Sequence, residues 1–174
     1  MLIPARLRWL WLTLGVVFLD RASKAWIESR PEGYFPHPVI TNYVSLVYAR
    51  NPAMAFSFLA GYSSSALRVV LIAGALIIIG VIAWLFVIHR SAGALQAAGL
   101  ALLLGGATGN VTDRILHGPV TDFLEVWLRF IPWHIFHPWP PFNVADSAVT
   151  VGAALIVIEI FFGGRHTHRS SVKE

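Results

Sequence analysis

The chain has 174 residues, of which 56% are hydrophobic and only 13% charged, and its mean hydropathy is +0.66. A soluble domain usually carries about a quarter charged residues, so this composition predicts that much of the surface faces lipid. The absence of cysteine excludes disulfides, thiolate metal sites and cysteine nucleophiles. The net charge of +4 comes without a dense basic run or an interleaved aromatic face, which argues against nucleic-acid binding.

Four apolar stretches are predicted to cross a bilayer as helices, which takes about 20 residues each. They cover approximately 7–26, 66–88, 92–111 and 145–162. The first is expected to be retained rather than cleaved as a signal peptide, because Asp20 and Lys24 stand where a cleavage site would lie. We therefore expect one integral membrane domain over 1–174, a bundle of four transmembrane helices.

The distribution of Lys and Arg predicts the direction of these helices. Short flanks concentrate positive charge within very few residues, at Arg6, Arg8, Arg90, Arg165, Arg169 and Lys173. The two long connections, near 30–65 and 113–143, are poor in Lys and Arg for their length. Because cytoplasmic flanks are enriched in positive residues, both termini are expected in the cytoplasm and both long connections outside.

Each long connection carries a structural pattern. Val39 to Tyr48 is rich in β-branched and aromatic residues and partly alternates, which predicts a strand. Phe123 to Phe136 contains spaced Trp and Phe residues, which predicts an amphipathic segment lying at the membrane interface.

Polar residues from distant parts of the sequence are predicted to meet near the outer edge of the bilayer. They are Asp20 and Lys24, Asn51, Asn110, Asp113 and Arg114, Asp122, and Asn143 and Asp146. Charged groups at membrane depth cost several kcal/mol unless they are paired or wetted, so the cluster is a candidate functional site. Gly105 and Gly109 form a small-xxx-small pair beside it, which favours close helix approach. Helix capping accounts for Asn143 or Asp146 singly, but not for four Asp at one level.

Two carboxyls close together share a proton and can hydrolyse a peptide bond without a metal or cofactor. The residues alone do not decide which two of Asp20, Asp113, Asp122 and Asp146 form the pair. Asp113 is adjacent to Arg114, and Asp20 lies one turn from Lys24, so these two have cationic neighbours and favour a structural role.

Other chemistries fit the sequence less well. There is no His-Glu-x-x-His or Gly-x-Ser-x-Gly motif, and His134 and His137 lack a matching carboxylate ligand. Ser23 and Lys24 are adjacent on a helix and point apart, which disfavours a Ser–Lys dyad. A proton-coupled carrier would place ionisable groups at the midplane, where the second and third spans have none. A catalytically silent binding or assembly factor remains a possible alternative.

Four blocks of sequence resemble lipoprotein signal peptidase, also called signal peptidase II. They are DRASK at Asp20–Lys24, NPAMAFS at Asn51–Ser57, GGATGNVTDR with the following GPVTDF at Gly105–Phe123, and FNVADS at Phe142–Ser147. The last two blocks are the most specific. In the second, Ala53 and Met54 replace the glycine and alanine usual in the family.

The resemblance implies a four-helix bundle with a small extracytoplasmic β-sheet in the bacterial cytoplasmic membrane. It implies a catalytic dyad of Asp122 and Asp146, supported by Asp20, Lys24, Asn51, Asn110, Arg114 and Asn143. The implied reaction is cleavage of a prolipoprotein just before its diacylglyceryl-modified cysteine, near the outer membrane face. The resemblance also implies inhibition by globomycin-type peptides. We expect a monomer without metal or cofactor.

Overall fold

A computed structural model of the protein describes residues 7–52, 64–88, 93–128 and 138–162. A turn of 3₁₀ helix at Leu7–Trp9 leads into helix α1 (Leu10–Glu28), which is followed in these ranges by α2 (Ser64–Ile88), α3 (Ala94–Leu116) and α4 (Val144–Phe162). Four strands form an antiparallel sheet in the order β1–β2–β3–β4: His37–Ile40, Val44–Asn51, Val120–Val126 and Trp139–Phe142. The helices form a bundle, and the sheet is built from the two long connections.

Three of the described helices are long and apolar enough to cross a membrane: Arg68–Ile88, Ala94–Leu116 and Val144–Phe162. Helix α1 is not among them, because its second half carries several charged residues. The predicted helix positions agree closely with the structure, except that α3 continues to Leu116 instead of ending near Val111. This extension keeps Asp113 and Arg114 on the helix.

Helix α3 is central to the bundle and contacts α1, α2 and α4. Its glycines allow the close approach that the sequence predicts. A Cβ atom added at Gly105 would lie 2.8 Å from the Val16 side chain on α1, and one at Gly109 would lie 2.6 Å from the Asp20 carboxylate. Any larger residue would separate these helices, so the small residues bring polar groups of α1 and α4 within hydrogen-bonding distance.

The predicted single strand over Val39 to Tyr48 is wrong in one respect, because the segment is a hairpin of two strands. The strands β1 and β2 are joined by a turn in which Asn42 has φ of 68° and the Tyr43 N–H donates to the Ile40 carbonyl over 2.9 Å. Asn is one of the few residues that adopts this left-handed conformation readily.

The predicted interfacial segment over Phe123 to Phe136 is also wrong in its first part. Phe123 to Val126 belong to β3, where Leu124 pairs with Leu46 of β2 and with Phe142 of β4. Backbone pairing on both edges satisfies the N–H and C=O groups of this stretch, and this outweighs the spacing of its aromatic residues. The remainder of the predicted segment, at 129–137, lies outside the described residues.

A tight turn carries the chain from α3 directly into β3. The N–H groups of His117 and Gly118 both donate to the Asp113 carbonyl, and Gly118 adopts φ of 87°, which favours glycine. Arg68 of α2 donates to the carbonyls of Arg114 and Ile115 over 2.7 and 2.6 Å. Because these contacts fix the end of α3, the start of β3 is held close to the bundle.

Candidate active site

The register of the sheet determines the position of Asp122. Asp122 on β3 lies opposite Ala49 of β2, and Asn51 is two residues beyond Ala49. Side chains two residues apart on a strand share a face, so Asn51 projects toward Asp122. Its Nδ2 donates to Asp122 Oδ2 over 2.8 Å. Asp122 is only 2% exposed, so its carboxyl lies in a largely buried position.

The first turn of α4 positions Asp146. Asn143 is the N-cap residue, and its Oδ1 accepts a hydrogen bond from the Asp146 N–H over 2.8 Å. The Asp146 carboxylate in turn accepts the Asn143 N–H over 3.3 Å. This reciprocal pair has the pattern of a capping box. The next free N–H of this turn, from Ala145, donates to Asp20 Oδ1 over 3.0 Å. Helix capping and the candidate site therefore use the same residues.

Two asparagines join the carboxyls of Asp122 and Asp146. Asn143 Nδ2 donates to Asp122 Oδ1 over 2.7 Å, while the Asn143 backbone N–H contacts Asp146. Asn110 Nδ2 donates to Asp146 Oδ1 over 2.7 Å, and Asn110 Oδ1 accepts from Asn143 Nδ2 over 3.2 Å. Every oxygen of the two carboxyls thus has an amide donor. The two side chains belong to one connected hydrogen-bond network.

A buried ion cluster lies directly beneath this network. Lys24 is fully buried, and its Nζ lies 2.7 Å from Asp20 Oδ2 and 2.7 Å from Asp113 Oδ2. It donates hydrogen bonds to Asp20 Oδ2 and, over 3.4 Å, to Asn110 Oδ1. Arg21 binds the other oxygen of Asp113. Two cations and two anions balance, which offsets the cost of burying charge.

The expectation that Asp20 and Asp113 have cationic partners is confirmed, although one partner differs from the sequence neighbour. Asp113 pairs with Arg21 and Lys24 rather than with Arg114. The Arg114 guanidinium donates to the carbonyl of Asn110 over 3.1 Å and is attracted by Asp146, Asp113 and Asp122. In the described ranges it forms no ion pair with a carboxylate.

Sequence reasoning missed two contributors to the site. One is the contact of Arg21 with Asp113, for which the sequence contains no signal beyond the position of Arg21 beside Asp20. The other is a hydrogen bond next to Asp122, in which the hydroxyl of the buried Thr121 donates to Glu28 Oε1 over 2.6 Å. Thr121 and Glu28 are 93 positions apart. No local pattern predicts such a contact.

Burial raises the pKa of the Asp122 carboxyl above its usual value of 3.8, and the nearby Asp146 raises it further. Hydrogen bonds from Asn51 and Asn143, together with the charge of Lys24, oppose this shift. The net increase means that Asp122 holds a proton more readily than an ordinary Asp.

The geometry of the described residues bears on two other chemistries, a Ser–Lys dyad and a metal site. Ser23 donates its hydroxyl to the Asp20 carbonyl over 3.0 Å, while Lys24 is occupied by its two carboxylates. Among the residues described here, no group of three or more His, Asp or Glu side chains is arranged to hold a metal ion. His134 and His137 fall outside those residues, as do Ala53 and Met54.

An apolar groove of about 430 Å³ adjoins the site on the outer surface of α4. Its walls include Trp139 and Phe142 from β4 and Val151 from α4, and Asp146 lies at one side. A carboxyl that lines an apolar groove can contact a ligand that is partly hydrophobic.

Comparison with known proteins identifies the family. The family model described as signal peptidase (SPase) II matches residues 12–162. The chain belongs to the signal peptidase II family. The sequence-based resemblance is therefore confirmed, and with it the assignment to a family of membrane proteases.

Signal peptidase II relatives match nearly the whole chain. A protein of Geobacter sulfurreducens named lipoprotein signal peptidase is 42% identical over 149 residues, which cover 86% of this chain and 88% of the relative. A protein of Yersinia pestis with the same name is 40% identical over 156 residues, covering 89% of this chain and 87% of the relative.

Two solved structures, both described as bacterial membrane enzymes, share the fold. One, obtained by the in meso method at 2.3 Å, has a TM-score of 0.77 and 24% identity and covers 95% of this chain and 94% of its own. Another, at 1.9 Å, has a TM-score of 0.75 and 25% identity, and the match covers 89% of this chain and 93% of that chain. The similarity in fold extends over nearly all of each chain.

The ion cluster generates a stability prediction. Replacing Lys24 with Met leaves the buried Asp20 and Asp113 with Arg21, bound to Asp113, as the one remaining cation of the cluster. Lys24→Met should therefore lower the free energy of unfolding by about 3–5 kcal/mol. Thermal unfolding of the purified protein in detergent micelles measures the loss. Adding Asp113→Asn should restore part of it, because the remaining charges of Arg21 and Asp20 balance.

The matched control is Arg50→Met, since Arg50 is exposed and its side chain contacts only Tyr48 among the described hydrogen bonds. Equal melting temperatures for Lys24→Met and Arg50→Met would contradict a structural role for the cluster.

Proposed function

We propose that the protein is an aspartic endopeptidase that removes the signal peptide from diacylglyceryl-modified prolipoproteins and cleaves just before the lipidated cysteine. The family and the names of its relatives support the substrate class. The observation that carries the mechanism is the hydrogen-bond network in which Asn143 contacts both Asp122 and Asp146. Two carboxyls held in one hydrogen-bond network can share a proton and act as a catalytic dyad.

In the proposed reaction the two carboxyls have different tasks. Asp122 holds the shared proton at rest, because burial and the neighbouring carboxylate raise its pKa. Asp146 is ionised and takes a proton from water as the water oxygen attacks the scissile carbonyl carbon. Asp122 donates its proton to the carbonyl oxygen. When the tetrahedral intermediate breaks down, the proton held by Asp146 passes to the leaving amine, and the intermediate's hydroxyl proton returns to Asp122.

The supporting residues hold the dyad in position. Asn51 and Asn143 orient Asp122, and Asn110 orients Asp146. Lys24 and Asp20 act behind them, since Lys24 contacts Asn110 and Asp20 binds the Ala145 N–H in the first turn of α4. Arg114 lies close enough to balance the negative charge of the dyad electrostatically.

Helix α1 is proposed as the fourth membrane crossing. Two of its charged residues, Asp20 and Lys24, point inward and are 0% exposed, while Trp11 and Phe18 are 74% and 70% exposed. A helix with an apolar outer face and a paired polar inner face is compatible with lipid. With both termini in the cytoplasm, as the charge distribution predicts, the site lies near the outer face of the bacterial inner membrane. The proposed enzyme acts as a monomer and binds globomycin-type inhibitors.

The groove beside Asp146 supports the proposal that the substrate is lipid-modified. Trp139, Phe142 and Val151 provide an apolar surface next to the proposed scissile bond. An acyl chain of the diacylglyceryl group fits this surface, and burying each of its CH₂ groups is worth about 0.8 kcal/mol. A precursor without the lipid loses that binding energy and should be cleaved poorly.

The dyad is tested by replacing each member. Asp122→Asn and Asp146→Asn should each lower kcat for a lipidated precursor at least about 10²-fold, because each removes a proton-transfer group. Cleavage of purified precursor in detergent, followed by the gel shift of the product, measures the rate. Glu125→Gln on β3 is the control, since its side chain contacts Trp127 away from the dyad. Normal turnover by either dyad variant would refute the assignment.

The pKa of Asp122 predicts the alkaline limit of activity. Because that pKa lies above the ordinary 3.8, the shared proton is kept, and activity persists, at a higher pH than for an unperturbed Asp. The hydrogen bond from Asn51 favours ionised Asp122, so Asn51→Ala should raise this pKa and shift the alkaline midpoint of kcat/KM upward. Arg50→Ala should leave the midpoint in place. A downward shift in Asn51→Ala would show that Asp122 does not carry the proton.

The groove predicts how substrate lipid affects binding. Val151→Trp fills the groove and should raise KM for a lipidated precursor about tenfold, the equivalent of losing contact with roughly two CH₂ groups. Cleavage of an unlipidated precursor, already slow, should change little. Val157→Trp is the matched control, because Val157 is exposed on the same helix and does not line the groove. An equal effect of Val151→Trp on both substrates would rule out the groove as the acyl site.

A further inference from the structure

A second cavity is lined by residues at the start of α2 and at the end of α3. It has a volume of about 230 Å³, and its lining includes the guanidinium groups of Arg68 and Arg114. Ser65 in the first turn of α2, Leu71 one turn below Arg68, and Gly118 complete much of its wall. A water occupies about 30 Å³ in the liquid, so the cavity has room for a group larger than several waters.

Both guanidinium groups retain hydrogen-bond donors in this cavity. Arg68 uses Nε and Nη2 for the carbonyls of Arg114 and Ile115, which leaves Nη1 on the side of Gly118. Arg114 uses Nη1 for the Asn110 carbonyl. Over the described parts of the chain, the remaining N–H groups of the two side chains have no recorded acceptor.

No carboxylate among the described residues forms an ion pair with Arg68. Neither arginine forms an ion pair within the described ranges, although Arg114 is attracted by Asp146, Asp113 and Asp122. The flanking stretches of sequence, 52–65 and 115–121, contain no Asp or Glu. The two cations at this cavity repel each other, and an anion placed between them reduces this repulsion, above all for Arg68.

The position of the cavity indicates which anion is available. Arg68 begins the apolar stretch Arg68–Ile88, and α3 ends at Leu116, so both arginines lie at the boundary of membrane-spanning helices. Below them the wall is apolar at Leu71, and Val69 and Val70 beside it are exposed. A cationic rim above an apolar wall at this level matches a phosphate headgroup above its acyl chains.

We propose that the Arg68–Arg114 cavity binds a phosphate group, with membrane phospholipid as its source. Guanidinium groups bind phosphate oxygens through paired N–H donors, which gives the site geometric specificity as well as charge. Because Arg114 also binds the backbone of Asn110, the occupied cavity would hold the end of α3 close to the network of Asp146. Phosphate binding at this cavity does not depend on the proposed peptidase reaction.

The test measures stabilisation of the delipidated full chain in a neutral detergent. Phosphatidylglycerol at ten times its Kd should raise the melting temperature by about 3–6 °C. Diacylglycerol, which has acyl chains without phosphate, should give no rise. Inorganic phosphate should give little rise if the phosphate comes from lipid, and a comparable rise if the site takes free phosphate.

The discriminating variant is Arg68→Gln, which keeps a donor for the α3 carbonyls but removes the charge. It should lose most of the temperature rise caused by phosphatidylglycerol or by phosphate, whatever its own starting stability. Arg68→Lys, which retains the charge without the paired donors, should keep part of it. Arg30→Gln, on the outer side but away from the cavity, should respond like the unmodified protein.

Two results would overturn the proposal. One is a rise in Arg68→Gln equal to that of the unmodified protein. The other is a rise with diacylglycerol equal to that with phosphatidylglycerol, which would mean that the acyl chains alone stabilise the fold. Because the measurement is of melting temperature, an inactive dyad would not affect either result.

Discussion

The candidate site depends on one buried side chain, Asp20, which ties α1 to α4. One of its carboxylate oxygens accepts the Ala145 N–H and the other accepts Lys24. The contact is possible only because Gly109 of α3 leaves no Cβ between the two helices. Ala145 directly precedes Asp146, so the position of the proposed catalytic carboxyl follows from a contact made by a helix more than a hundred residues earlier.

Stability and proposed activity rely on the same hydrogen bonds in this protein. The capping box of Asn143 and Asp146 begins α4, and the same Asn143 holds Asp122. A cap residue usually serves its own helix alone. Here its replacement would affect the start of the helix and the alignment of the proposed dyad together. The ordinary explanation of these residues as helix caps is therefore correct, and it does not compete with the functional one.

Much of the fold follows from the sequence because membrane helices leave a strong signal. The apolar stretches predict the positions of the long helices within a few residues, since length and hydropathy decide them. The sheet is less predictable. The pattern over Val39 to Tyr48 indicates β-structure but does not reveal the turn at Asn42, and the aromatic spacing after Phe123 conceals a strand that pairs on both sides.

The candidate site, like the fold, could be predicted from the sequence only in part. Motif blocks identify Asp122, Asp146 and their asparagines, and helical spacing links Asp20 to Lys24. Proximity in sequence does not predict the ion-pair and hydrogen-bond partners that come from other helices or strands. Asp113 is bound by Arg21 and Lys24 instead of Arg114, and Glu28 reaches Thr121 across the fold. Such pairs depend on how the helices and sheet dock, which no local pattern encodes.

The connection between β4 and α4 sets a strict limit on how this chain can vary in length. Strand β4 ends at Phe142 and α4 begins at Val144, so Asn143 alone separates them. One inserted residue would rotate the helix by about 100° relative to the sheet and turn Asp146 away from Asp122. A change of even one residue in the length of this junction would therefore separate the two carboxyls of the proposed dyad.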